Sequence, residues 1–129
     1  MSKAILVEQA PQFPLPFSHA VRAGDFVYVS GQVGVDPATR EVVGATVEEQ
    51  TKQCLRNIET ILQAEGLTLD HVIKVNAFVH PEMLAGYNAA YRESFSEPFP
   101  ARTSVPCDLG TYLVEIDVVA YTKSARSLE

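Results

Sequence analysis

The residues best suited to chemistry lie near the end of the chain, in two segments with the composition of β-strands. Arg102 and Ser104 stand two apart in the first segment, and Glu115 and Asp117 stand two apart in the second. Residues two apart on a strand point to the same face. A guanidinium stays charged at any working pH and binds a carboxylate with two hydrogen bonds, whereas a half-buried carboxylate can exchange protons with a reacting group. The two segments therefore indicate a site for a small organic acid.

The same two segments are predicted to be the arms of a closing hairpin, residues 99–123, with Asp108 and Gly110 in the turn. The even positions of the second arm are all apolar: Tyr112, Val114, Ile116, Val118 and Ala120. In a hairpin, Arg102 and Glu115 line one site. Residue chemistry alone leaves an alternative open, in which Arg102 forms a structural ion pair with a carboxylate of the hairpin.

The remaining elements must position these residues. Hydrophobic periodicity predicts strands at residues 4–7, 19–22, 26–33 and 71–80. A first helix is predicted to begin after Thr46, because Thr46 and Glu49 fit a capping box, and a second is predicted from Pro81 to about Phe95. The predicted fold is α+β, a single sheet of about six strands with two helices on one face.

The second face of this predicted sheet carries more apolar side chains than a solvated face needs. Phe26 and Tyr28 lie opposite the valines of their strand, and Phe78 lies opposite Ile73. Apolar residues on a face that no helix covers indicate burial against other subunits. We therefore expect a symmetric homo-oligomer assembled around this face.

Composition sets the broad class. A chain of 129 residues suits one domain, residues 1–129, and its net charge of −6 argues against nucleic acid as a partner. No apolar run is long enough for a membrane helix, and no signal peptide is apparent. Cys54 and Cys107 form no C-x-x-C motif, and neither they nor the three histidines have the spacing of metal ligands. These features predict a reduced, cytoplasmic protein without a metal site.

Several motifs occur together along the chain. They are V-S-G-Q at 29–32, Y-N-A-A-Y at 87–91, P-A-R-T-S at 100–104 and L-V-E-I-D-V-V-A at 113–120. In type and order they resemble the RidA (YjgF) family, also described as endoribonuclease L-PSP. The resemblance implies a RidA-type, chorismate mutase-like fold and a homotrimer with sites in the clefts between subunits.

The resemblance also implies an activity without a cofactor: hydrolysis of reactive 2-enamine and 2-imine acids of the 2-aminoacrylate type to 2-oxo acids and ammonium. Arg102 would bind the substrate carboxylate, and Glu115 would act on the attacking water. The substrate-binding positions implied are Phe17, Ser30, Gly31, Asn88 and Ser104. Each has a structural alternative. Gly31 suits a β-bulge, Asn88 suits a local hydrogen bond, and Glu115 suits an ion pair that orients Arg102.

Two of these positions depart from the family pattern. The family's G-P-Y is Leu15-Pro16-Phe17 here, which removes a hydroxyl, and Ser104 stands where cysteine is common. A differently shaped acid such as 2-aminomuconate is therefore an alternative substrate. A non-catalytic, chaperone-like protein that binds small carboxylates is a second alternative. Ribonuclease activity is the least favoured, because the chain has a net negative charge.

Overall fold

The computed structural model describes residues 1–128 and contains one six-stranded sheet with two helices. In chain order the elements are β1 (Ser2–Ile5), β2 (Ala20–Ala23), β3 (Phe26–Val33), α1 (Val47–Gln63), β4 (Val72–Val79), α2 (Leu84–Ser94), β5 (Ala101–Pro106) and β6 (Val114–Tyr121). The strand order across the sheet is β1-β2-β3-β6-β4-β5. All neighbours are antiparallel except β4 and β5, which are parallel. The predicted α+β fold is confirmed.

The predicted closing hairpin is wrong, because β4 lies between β5 and β6. A parallel pair needs a crossover connection, and α2 supplies it between β4 and β5. The segment after β5 then passes the end of β4 instead of turning back: the Cys107 N–H donates to the Val79 carbonyl at 2.8 Å, and the His80 N–H donates to the Leu113 carbonyl at 2.9 Å. β6 is thereby inserted at the centre of the sheet.

The core lies between the sheet and the helices. Alternate residues of β6 and of its neighbour β4 are buried on the helix side of the sheet, namely Val114, Ile116, Val118 and Ala120 of β6 and Val75, Ala77 and Val79 of β4. Helix α1 covers them with its apolar stripe, which includes Cys54, Leu55, Ile58, Ile61 and Leu62. This helix begins as predicted, with a capping box between Thr46 and Glu49. Neither helix within residues 1–128 has the length and apolar character needed to cross a membrane.

Buried side-chain amides of α1 hold the end of β3 and the backbone just before β6. The Asn57 amide group donates to the carbonyls of Val33 and Val35, at 3.2 and 3.0 Å. Gln50 accepts from the Leu113 N–H at 3.0 Å, just before β6 begins. Buried polar groups with satisfied hydrogen bonds hold backbone in one position, so α1 sets where β3 ends and β6 starts.

The open face of the sheet retains the apolar side chains that the sequence pattern predicts there. Phe26 is 38% exposed and Tyr28 is 50% exposed, and the ring of Tyr121 lies 5.4 Å from that of Phe26. On the same face, Asn76 donates to Asp117 at 3.0 Å across β4 and β6. The homo-oligomer expected from this face remains a prediction.

Arg126 ties the C-terminal tail to the segment before β5. Its guanidinium donates to the carbonyls of Pro98, Leu69 and Val72 at 2.7, 2.8 and 2.8 Å and reaches the Ser96 carbonyl at 3.3 Å. Several carbonyls that share one cation form charge-assisted hydrogen bonds, which are stronger than neutral ones. The tail therefore holds residues 96–98, which lead into β5.

We predict that Arg126→Ala lowers the free energy of unfolding by about 2–3 kcal/mol, because several charge-assisted hydrogen bonds are lost together. Urea unfolding at fixed protein concentration measures the effect. Lys123→Ala is the matched control on the same tail. Its ammonium lies 3.9 Å from Asp25 in an exposed pair, which is worth less than about 1 kcal/mol. Equal stability of the two variants would contradict the role given to Arg126.

Candidate functional site

Arg102 lies on the edge strand β5, on the side of the sheet that carries the helices. Its register partner is Val75, which is fully buried, and partners in register point to the same face. The guanidinium carbon lies 4.8 Å from the ring centre of Tyr91 and 5.4 Å from that of Tyr87. One guanidinium nitrogen, Nη1, donates to Asn88 Oδ1 at 2.8 Å. Helix α2 thus supplies both the platform and the orienting amide.

Within the described residues, no carboxylate neutralises Arg102. The ion pairs found within residues 1–128 are Lys3–Glu65, Arg22–Glu65, Lys52–Glu93 and Lys123–Asp25. Aromatic rings attract a guanidinium without cancelling its charge, and the amide uses only one of its five donors. The cation borders a cleft of about 290 Å³. It therefore has the orientation and the free donors needed to bind a carboxylate.

Three hydroxyl groups buried near Arg102 make no hydrogen bond of good geometry in the described part of the chain, although Tyr87 lies close enough to Ser104 and Arg102 for both to act on its pKa. They belong to Tyr87, Tyr91 and Ser104. Ser104 pairs in register with Ala77 and shares the face of Arg102. Burial raises the pKa of Tyr91 to about 12, so this phenol keeps its proton at working pH. Unsatisfied buried hydroxyls are uncommon in folded proteins, and two of these belong to the tyrosines whose rings pack against Arg102.

Glu115 lies on the opposite face of the sheet. It pairs in register with Phe78, on the open side, and it borders a separate pocket of about 200 Å³. The other residues of that pocket are mostly apolar: Phe13, Leu15, Phe17, Gly31, Val33 and Tyr112. Burial, and secondarily the negative charge of Asp117, raises the pKa of Glu115. Arg102 is not among the groups that shift it, contrary to the expectation from a hairpin.

The backbone of Gly31 lies against the Glu115 carboxylate. A Cβ added to Gly31 would lie 2.8 Å from Glu115 Oε2 and 3.0 Å from its Cδ, so the end of the Glu115 side chain would have to move. The register of β3 against β6 also shifts between Val29 and Gln32, which places Gly31 in a bulge. The bulge interpretation of this glycine is confirmed, and Gly31 also lines the pocket of Glu115; its role in binding a substrate remains a prediction.

The segment that carries Phe17 is held by His19 and Ser30. The Val7 N–H donates to His19 Nδ1 at 3.0 Å, and Nε2 lies 2.9 Å from the Pro11 carbonyl, which fixes the neutral imidazole with its proton on Nε2. The Ser30 hydroxyl donates to the Ser18 carbonyl at 2.6 Å. Its hydroxyl is thus used by the backbone, and Ser30 supports the pocket wall instead of lining the pocket.

The structure brings the predicted site residues together in two groups. Arg102 and Asn88 line one cleft, and Glu115, Gly31 and Phe17 line the other, with β4 between the two strands that carry Arg102 and Glu115. Ser104 shares the face of Arg102 but lines a third, smaller pocket. The sequence analysis missed the tyrosine platform and Tyr112. A signal for the platform was present, since Tyr87 and Tyr91 are four apart on a helix, but that spacing is also typical of core residues.

Comparison with known proteins agrees with this geometry. A family model described as Endoribonuclease L-PSP matches residues 7–122. The chain belongs to the endoribonuclease L-PSP, or RidA, family. A RutC family protein of Pyrococcus horikoshii is 39% identical to this RidA-family chain over 127 residues, covering 94% of this chain and 98% of that protein.

A relative and a solved structure extend the comparison. A 2-iminobutanoate/2-iminopropanoate deaminase of Dermatophagoides farinae is 36% identical over 97 residues, covering 74% of this RidA-family chain and 76% of that protein. The crystal structure of RidA from an Antarctic Psychrobacter superposes with a TM-score of 0.85 at 34% identity, covering 92% and 98% of the two chains. Within residues 1–128, no three His, Cys, Asp or Glu side chains are grouped as metal ligands would be.

The raised pKa of Glu115 gives a prediction for stability. The folded protein holds this proton more tightly than the unfolded chain, so ionisation of Glu115 destabilises the fold increasingly as pH rises through the folded pKa. We expect Glu115→Gln to match the wild type in Tm at about pH 4, where the carboxyl is mostly protonated in the folded and the unfolded protein. At pH 7 the Tm of the variant should be higher than that of the wild type.

Thermal unfolding at the two pH values checks this expectation. Glu82→Gln, at an exposed position, is the matched control and should show no pH-dependent gain in Tm. A loss of Tm at pH 7 in Glu115→Gln would show instead that the ionised carboxylate stabilises the fold.

Proposed function

We propose that this protein hydrolyses short-lived 2-imino acids, and the 2-enamino acids that tautomerise to them, giving 2-oxo acids and ammonium. The observation that carries the proposal is Arg102, a guanidinium oriented by Asn88 and two tyrosine rings and without a carboxylate partner among residues 1–128. Such a group selects a small substrate that bears a carboxylate. The relative from Dermatophagoides farinae, named as a deaminase of 2-imino acids, supports the same reaction.

The reaction follows from a bound imine, a water molecule and a carboxylate of raised pKa. The water oxygen adds to the C=N carbon while Glu115 accepts a proton from the water. The nitrogen takes up that proton, which gives a carbon bearing a hydroxyl and an amino group. Glu115 then moves the hydroxyl proton to the nitrogen as the C–N bond breaks and the C=O bond forms, so ammonia leaves and takes a proton from solvent to become ammonium. A carboxyl whose pKa is raised towards the working pH gives and takes protons more readily in such steps. The imine is already electrophilic, so the proposed reaction needs no cofactor.

One chain alone does not provide both groups to one substrate. Arg102 faces the helix side at the edge of the sheet, and Glu115 faces the open side of a central strand. We therefore propose that the complete site forms between two copies, with Arg102 from one and Glu115 from the next. Apolar Phe17 and Leu15, which are 43% and 61% exposed beside Glu115, suit such an interface. A homotrimer is the proposed assembly.

The two departures from the family pattern are compatible with this activity. Phe17 brings no hydroxyl to the Glu115 pocket, but Tyr112 lines the same pocket and supplies a phenol. Ser104 keeps a hydroxyl on the face of Arg102. Cleavage of RNA fits the described residues less well, because no histidine lines either cleft and the net charge of the chain is −6.

We predict that Arg102→Ala lowers kcat/KM for 2-iminobutanoate by about 100-fold or more, because two charge-assisted hydrogen bonds to the carboxylate are lost. Arg102→Lys keeps the charge but not the two-pronged geometry and should recover only part of the rate. The assay generates the imine in place and follows its disappearance above the spontaneous rate. Wild-type protein that binds 2-oxobutanoate without accelerating hydrolysis would contradict the proposed catalysis and favour a binding protein.

We also predict that two inactive variants complement each other. Arg102→Ala and Glu115→Gln chains, mixed equally while unfolded and refolded together, should recover about a quarter of wild-type activity, since a site is intact only where a wild-type Arg102 meets a wild-type Glu115. Each variant refolded alone is the control. No recovery in mixtures shown by native mass spectrometry to contain both chains would place the site within one chain.

A further inference from the structure

The cleft beside Arg102 contains a second arginine. Its lining residues are Asn88, Tyr91, Arg92, Phe99, Pro100 and Arg102. Asn88 and Arg92 are four residues apart on α2, so they lie on the same face of the helix. The helix that orients Arg102 through its Asn88 amide therefore also aligns Arg92 along the same cleft.

Arg92 is exposed and is not neutralised. Within residues 1–128 its side chain makes no hydrogen bond and no ion pair, and its neighbour Glu93 is engaged by Lys52 at 2.7 Å. A cation in the last turn of a helix stabilises the helix by itself. That stabilisation requires an exposed position but not a position beside a cleft. Two free guanidinium groups beside one cavity, in a chain of net charge −6, repel each other until anions bind. The cleft thus has the charge to hold two carboxylates.

We propose that Arg92 binds a second carboxylate, so that the preferred substrates are 2-imino dicarboxylic acids, such as the imines formed from glutamate and aspartate. This inference rests on the proposed function. Arg102 takes the carboxylate next to the imine carbon, and Arg92 takes the distal one. Tyr91 and Phe99 line the same cleft and offer aromatic surface to the carbons between the two carboxylates. The hydrolysis is the one already described, with a 2-oxo dicarboxylic acid and ammonium as products.

The test compares two imines of equal carbon number, 2-iminoglutarate and 2-iminopentanoate, each generated in place from its amino acid by an oxidase. We expect wild-type kcat/KM to be higher for the dicarboxylic imine. Arg92→Gln should lower that value by about 10-fold or more, the loss of one charge-assisted contact, and leave 2-iminopentanoate within about 2-fold. Lys123→Gln removes the same charge from an exposed position outside the cleft and should change neither value.

The outcomes separate this proposal from the function on which it rests. Equal losses on both imines in Arg92→Gln, or no loss on either, would overturn the second-carboxylate role. An equal loss together with a smaller mass in sedimentation would assign Arg92 to a contact between subunits instead. If wild type hydrolyses neither imine, the proposed function fails, and calorimetry still decides the binding role. In that case 2-oxoglutarate must bind more tightly than 2-oxopentanoate to wild type and lose that advantage in Arg92→Gln.

Discussion

The insertion of β6 between β3 and β4 is the constraint on which the rest of the structure depends. Backbone hydrogen bonding on both sides makes β6 a central strand, and its alternation buries four residues against the helices. The same alternation sends Glu115 and Asp117 to the open face. Because β6 occupies the centre, β5 is left at the edge, where Arg102 reaches the end of α2. One strand placement therefore separates the two chemical groups.

The surroundings of Arg102 and of Glu115 have opposite electrostatic character. Arg102 is kept charged and free, supported by ring faces and an amide that leave most of its donors available. Glu115 is surrounded by apolar side chains and lies near Asp117, and both effects oppose its ionisation. A substrate carboxylate suits the first group, and a transferred proton suits the second. A site between subunits that contains Arg102 and Glu115 would combine carboxylate binding with proton exchange, and neither group would be neutralised before the substrate binds.

Much of the fold was predictable from local sequence. The capping box gave the start of α1, and apolar alternation gave β3 with its bounds and β4 within one residue at each end. The pairing of β5 and β6 was not predictable in this way, because two strand-like segments joined by a short polar stretch are typical of a hairpin. The strands that β5 and β6 do pair with are determined by two features: β6 has a neighbour on each side, and α2 connects β4 to β5. The local sequence pattern of β5 and β6 contains no information about either feature.

The site was predictable as residues but not as an arrangement. Residue chemistry indicated Arg102 and Glu115, and the family resemblance added Asn88 and Gly31. The structure places Asn88 beside Arg102 and Gly31 beside Glu115. The tyrosine platform under Arg102 was hidden, because aromatic residues four apart on a helix read as core and are in fact buried. The family resemblance implied a site between subunits, and the proposal that two chains contribute to it rests on the face that each strand residue occupies.

The proposed site requires that one substrate contacts Arg102 of one chain and Glu115 of another. A crystal structure with bound 2-oxobutanoate, the 2-oxo acid that hydrolysis of 2-iminobutanoate gives, would show whether it does. We expect the carboxylate to form two hydrogen bonds with Arg102 and the C2 carbonyl to lie beside Glu115 of the neighbouring subunit. A ligand elsewhere, or an Arg102 paired with a carboxylate of the partner subunit and no ligand beside it, would contradict the claim.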